Sequence, residues 1–184
     1  VYTIIGMATT YGSSLGLDST GLLLALLVTQ IVAFPCSIVF GRLSAKYDTA
    51  LLIKVSILCY SGIALFGMFL QQLWQFWLLA VLVGMFQGGI QALSRSYLAK
   101  IIPPERSGEY FGMMDTFGKG ADAMGPAIIA LVTNLAGDRT VTVFGTQLRG
   151  QNLGVGFLVL LFIIGFVLFA KADRLNKERR KASV

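Results

Sequence analysis

Three ionisable residues sit close together in an otherwise apolar stretch: Asp115, Lys119 and Asp122. Their i, i+4, i+7 spacing puts them on one side of a helix. Counted from the start of its apolar stretch at Glu109, Lys119 lies roughly 15 Å along at 1.5 Å per residue. If that helix crosses a membrane, a charge at such depth costs at least about 2.5 kcal/mol unless it is paired or faces water. Two chemistries fit the pattern. The flanking carboxylates can neutralise Lys119 in a triad that only locks helices together. Alternatively, the ammonium lines a cavity and binds an anionic group of a solute, while an aspartate carries a proton.

A second polar stripe precedes this one. Gln87, Gln91 and Arg95 follow one another in i to i+4 steps, so one side of their helix is unsuited to lipid. The same segment carries Gly84 and Gly88 in G-x-x-x-G spacing, with Gly89, Ala92 and Ser96 beyond. Small residues in that pattern allow a neighbouring helix to approach closely.

The elements that must position these residues follow from composition. Of 184 residues, 55% are hydrophobic and only 13% charged, with a mean hydropathy of +0.75. Charged residues approach a quarter of a water-soluble domain, so the expected solvent is membrane lipid. Five stretches are long enough to cross the roughly 30 Å hydrocarbon core, which takes about 20 apolar residues. They are 19–41, 49–70, 73–98, 109–135 and 152–170, and 1–11 reads as the remnant of a sixth. No basic leader or small-residue cleavage site precedes the first apolar run. Val1 to Ile5 reads as the middle of a helix, so a preceding part of the protein is expected. Pro35 and Gly125-Pro126 are expected to bend their helices. Residues 137–150, with alternating Val141, Thr142 and Val143, are expected to form an external loop or short hairpin.

The net charge of +6 does not point to nucleic acid, because Lys and Arg cluster at the ends of apolar runs. Arg42, Lys46, Lys100, Arg106 and the basic residues of 171–184 fall on one side of alternating crossings. Arg139 and Arg149 fall on the other. The positive-inside rule makes the first side cytoplasmic, including a basic C-terminal tail over 171–184. Cys36 and Cys59 lie in separate apolar runs without metal-type spacing, and the chain has no His. Neither a metal nor another cofactor is expected, and no Ser-base or paired acidic motif suggests an enzyme.

At Gly41-Arg42-Leu43-Ser44-Ala45-Lys46-Tyr47 the sequence resembles the short basic loop between the second and third helices of each half of major facilitator superfamily transporters. Gly41 and Lys46 match the pattern, whereas Ala45 replaces its Asp. A closer resemblance runs from Val1-Tyr2-Thr3-Ile4 through Gly88-Gly89-Ile90-Gln91-Ala92-Leu93-Ser94-Arg95-Ser96 and Ser107-Gly108-Glu109-Tyr110-Phe111-Gly112 to Gly118-Lys119 and Gly125-Pro126. It is to the branch that contains the fungal vacuolar amino-acid effluxer and bacterial transporters of unassigned substrate.

That resemblance implies an all-α integral membrane fold, a six-helix C-terminal half with its first helix truncated, from a twelve-helix bundle. It implies a secondary transporter of a small polar solute, including amino acids, in a bacterial inner membrane. Lys119, Asp115, Asp122, Gln87 and Gln91 would form the substrate or coupling site. Arg95, Gly41, Arg42 and Lys46 would fix topology and a cytoplasmic gate. The implied partners are membrane lipid, the N-terminal six-helix half and the solute, with self-association expected of the piece alone. The rival class is a non-transporting scaffold or lipid-handling protein with a structural charge triad.

Overall fold

The computed structural model describes residues 13, 16, 18–69, 72–136, 141–143, 146–148 and 150–182. Five long helices account for most of them: α1 (Ser19–Lys46), α2 (Thr49–Met68), α3 (Leu73–Ile101), α4 (Ser107–Ala136) and α5 (Gly150–Ala182). Strands β1 (Val141–Val143) and β2 (Thr146–Leu148) pair antiparallel, Val141 facing Leu148. The expected remnant helix over 1–11 lies outside the described residues.

Local chemistry sets the helix ends. Asp18 accepts a bond from the Gly21 amide at 2.8 Å, and Asp48 accepts one from Ala50 at 3.1 Å. Both satisfy amides that a helix start leaves unpaired. α3 stops before Pro103-Pro104, since a residue ahead of proline is pushed out of the helical region, and Ile102 is extended. A 3₁₀ turn, Pro104–Arg106, then leads directly into α4.

Three helices run past their expected ends. α1 continues to Lys46, so Gly41, Arg42 and Lys46, expected in a loop, are helical. Arg, Leu, Ala and Lys all favour helix, and nothing interrupts them before the Asp48 cap. The connection to α2 is reduced to Tyr47 and Asp48. α3 extends to Ile101, and α5 carries the expected tail onward as helix to Ala182.

α1 packs along α3, α2 against both α3 and α5, and α4 against α5. Between α1 and α3 the backbones nearly touch: a methyl added at Gly84 would lie 2.6 Å from the Thr29 carbonyl oxygen. Thr29 itself bonds back to Ala25 at 2.9 Å and across to Ala80 at 3.3 Å. The expected small-residue contact is therefore an α1–α3 crossing.

Two apolar cores result. The larger gathers Ala25, Tyr60, Phe76, Val83, Ile129 and Leu158, drawn from all five helices. Tyr60 is fully buried, donating to the Val83 carbonyl at 3.3 Å and stacking on Phe162. The smaller core, at the basic end, joins Leu52, Ile53 and Leu93 with Phe40, Tyr97 and Phe169, and contains nothing from α4. The opposite face of α2 exposes Leu51, Val55, Leu58 and Leu65.

By length and composition, α1, α2, α3 and the Gly156–Glu178 part of α5 can cross a membrane. Five such spans were expected among the long stretches. α4 is long enough at 30 residues, but Asp115, Lys119 and Asp122 make it too polar to qualify on composition. Replacing Gly84 by Ala should force α1 and α3 apart and lower stability by about 1–3 kcal/mol. Gly62→Ala, where the added methyl meets nothing within 4 Å, should cause no loss. Thermal unfolding of the two variants in detergent checks this, and equal melting points would contradict the close crossing.

Candidate functional site

The second half of α3 and the first half of α4 flank a groove with a volume of about 580 Å³. Gln91, Ser94 and Arg95 line it from α3, and Asp115, Gly118, Lys119 and Asp122 from α4. Each set has i, i+3, i+4 spacing, the register that turns side chains to a common face. Two small residues of α4, Gly118 and Ala121, also line it, and a Cβ added at Gly118 would stand in open space. The Ser94 hydroxyl on its α3 wall is satisfied locally, donating to the Ile90 carbonyl.

The expected pairing within the triad is not what the structure shows. Asp115 is drawn across the groove, where its Oδ1 accepts from Arg95 at 3.0 Å. Both side chains remain more than half exposed, at 51% and 60%, so this bridge stabilises by only about 0–1 kcal/mol. Lys119 makes no ion pair among the described residues, and neither does Asp122. A single carboxylate bonded to a guanidinium on the opposite wall leaves the ammonium one turn further along without its expected counter-charge.

Pro126 lies inside α4. Having no amide hydrogen, it cannot bond the carbonyl four residues earlier, and that carbonyl belongs to Asp122. Asp122 therefore brings a carboxylate to the groove, and its own backbone carbonyl lacks the intrahelical bond that a residue other than proline would give it.

Gln87 parts company with the other predicted residues. It is 7% exposed, lies one turn from Gln91 and does not line the groove. Its Oε1 is buried without a hydrogen-bond partner among the described residues. Arg42 and Lys46 occupy the last turns of α1, exposed and without ion pairs among the described residues, and Gly41 has open space around it. Of the nine predicted positions, the structure thus gathers Gln91, Arg95, Asp115, Lys119 and Asp122 in one place.

Sequence reasoning missed a second charged cluster, at the basic end. Asp173 is 3% exposed and accepts from Lys54 Nζ at 2.6 Å and from the Tyr97 hydroxyl at 3.1 Å. Lys177 Nζ lies 3.4 Å from the same carboxylate and bonds Asp48 at 2.7 Å. The signal was present: Lys54 interrupts an apolar run and must find an anion, and Asp173 stands i to i+4 from Lys177 within a basic segment.

Residues 1–183 match a family model described as "Vacuole effluxer Atg22 like". An "Uncharacterized MFS-type transporter YxiO" of Bacillus subtilis (strain 168) is 42% identical over 170 residues, 92% of this chain and 37% of that protein. An "Autophagy-related protein 22-2" of Aspergillus clavatus is 32% identical over 69 residues, 38% of this chain and 11% of that protein. An "Autophagy-related protein 22" of Coccidioides immitis is 25% identical over 114 residues, 61% of this chain and 17% of that protein. The chain therefore spans little more than a third of the bacterial relative and less of the fungal ones. No solved structure matches.

The Lys177 ammonium bonded to Asp48 holds the Asp48 carboxyl below its ordinary value. The stability this contributes is present above the ordinary carboxylate range and is lost as pH falls through the lowered value. Lys177→Ala should move the Asp48 titration upward, read from its side-chain carbon shift by NMR. An unmoved titration would contradict the pairing.

Proposed function

We propose, since the chain belongs to the vacuole effluxer Atg22-like family of membrane transporters, that it is part of a secondary active transporter and lines the path of a small polar solute. α1 to α5 then belong to a six-helix C-terminal half. α4 crosses the membrane despite its charges, because they face the groove rather than lipid. The basic end faces the cytoplasm by the positive-inside rule, in a bacterial inner membrane.

One observation carries this reading: Lys119 lies about 18 Å along α4 at 1.5 Å per residue and lines an open groove without an ion pair among the described residues. A purely structural lysine at that depth would be paired; Lys54, only about 8 Å along α2 at 1.5 Å per residue, already is. An unpaired ammonium instead invites an anionic partner from outside the chain, and a solute carboxylate is the simplest one. Amino acids offer that group, and the family's name refers to efflux.

Asp122, beside the freed carbonyl of its own backbone, is suited to hold the solute's cationic end or a coupling proton. Gln91 adds an uncharged donor and acceptor. Arg95 and Asp115 bridge the walls of the same groove at 3.0 Å; parting them would let the walls move independently. Alternating access follows if this bundle rocks against a second half about a site near the midplane.

Lys119→Gln in the full-length protein should cut amino-acid movement at least tenfold in proteoliposomes under an imposed proton gradient. Lys119→Arg should retain more activity than Lys119→Gln. Equal transport by wild type and Lys119→Gln at equal incorporation would remove Lys119 from the site. Failure of the wild type to move any solute of the panel would favour the scaffold reading.

A further inference from the structure

The cluster around Asp173 has no part in the groove. Three helices converge on this one carboxylate: Lys54 from α2, Tyr97 from α3, and Lys177 from α5 itself. Asp173 is 3% exposed, so its charge is tolerable only while those donors stay in place. Around it the joint is doubled by other contacts. Lys177 reaches the α1–α2 turn at Asp48, and Lys100 of α3 donates to Thr49 at the start of α2 at 2.8 Å. The Tyr97 and Phe169 rings lie 5.4 Å apart between α3 and α5, on top of the smaller apolar core.

The attachment of α4 is of another kind. Ile129, in its second half, is buried in the larger core with Leu158 of α5. Its first half, at the basic end, shares in neither core. Most residues from Gly108 to Ala121 are exposed. The side-chain bond that ties this half to a neighbouring long helix, among the described residues, is the exposed Arg95–Asp115 bridge. Pro126 interrupts the backbone ladder between the two halves.

We propose that Asp173 is the hub of a latch that makes the basic ends of α2, α3 and α5 a single rigid body, leaving the first half of α4 as the part of this bundle free to shift at that end. A buried carboxylate with donors from three helices resists relative displacement of them, because a shift that breaks one bond leaves a 3% exposed charge short of a donor. An exposed ion pair resists little, because water replaces either partner. The groove therefore changes shape on its α4 side, while its α3 wall stays fixed.

Pulsed electron paramagnetic resonance on the full-length protein in lipid nanodiscs, in a background without reactive native cysteines, tests this. Spin labels at Leu51 and Leu175, on the exposed faces of α2 and α5, should give one narrow distance distribution. Labels at Leu51 and Met113 of α4 should give a broader one. Asp173→Asn should broaden the first pair at least twofold while a control pair at Leu27 and Leu78, away from the latch, stays unchanged. If Asp173→Asn does not purify folded, Tyr97→Phe, which removes the hydroxyl that donates to Asp173 and keeps the carboxylate, should broaden the first pair to a lesser degree.

A first pair as broad as the second in the wild type would overturn the latch. So would an unchanged first pair in the variant that folds, or broadening of the control pair to the same extent. These distances are read without solute, so their failure is distinct from failure of the Lys119 site, which is read by transport.

Discussion

The arrangement of this bundle depends on the free energy of holding charge at membrane depth. At the centre of a helix in lipid a charged side chain costs about 2.5–3.5 kcal/mol even on the mildest scale, so each one must be paired or must face water. The chain meets that constraint in two opposite ways. Lys54 is neutralised inside protein by a carboxylate 2.6 Å away, and the helices around it are fastened together as a result. Lys119 has no ion pair among the described residues and lines a groove, whose walls are joined by an exposed ion pair, Arg95–Asp115.

The rest of the fold can be read from that division. α1 and α3 approach at van der Waals distance through glycine, and α2 buries one face against α3 and α5 while exposing a leucine-rich stripe on the other. These contacts need no charge and suit surroundings that are apolar on every side. Polar groups gather on the α3 and α4 faces bordering the groove, and the proline of α4 falls beside them. A helix with Asp115, Lys119 and Asp122 on one face is too polar to qualify as a membrane span by composition, yet belonging to a transporter family gives that polarity a use.

Much of this was legible in the sequence, for reasons that differ between residues. Long apolar runs and basic termini are properties of single segments, so the helices over 19–41, 49–70 and 73–98 could be read directly. The two stripes, Gln91 with Arg95 and Asp115 with Lys119 and Asp122, each follow from helical spacing alone, whereas their sharing one site was implied by the family resemblance. What spacing cannot give is the choice of partner between helices. Asp115 has Lys119 one turn away yet bonds Arg95 twenty residues earlier. Asp173 stands in the segment read as a basic tail, and spacing gives no sign that it is buried against Lys54, 119 residues away in sequence. Gln87 shares a stripe with Gln91, but the helix face drifts enough over one turn to bury it. The basic loop failed for a simpler reason: helix-favouring Arg42, Leu43, Ala45 and Lys46 carry α1 past Gly41 until Asp48 caps the next helix.

The central claim is that Lys119 presents its positive charge to an aqueous path and that this charge is what the solute uses. Chemical replacement of that charge tests it most directly. In full-length Lys119→Cys, otherwise free of reactive cysteines, an aminoethyl methanethiosulfonate reagent rebuilds a side chain of nearly lysine length and charge. A sulfonatoethyl reagent places an anion there instead. The account predicts that both reagents modify the cysteine, that transport is lost in the unmodified variant, and that it returns with the aminoethyl group alone. A cysteine that neither reagent reaches, or transport that is the same in all three states, would contradict it.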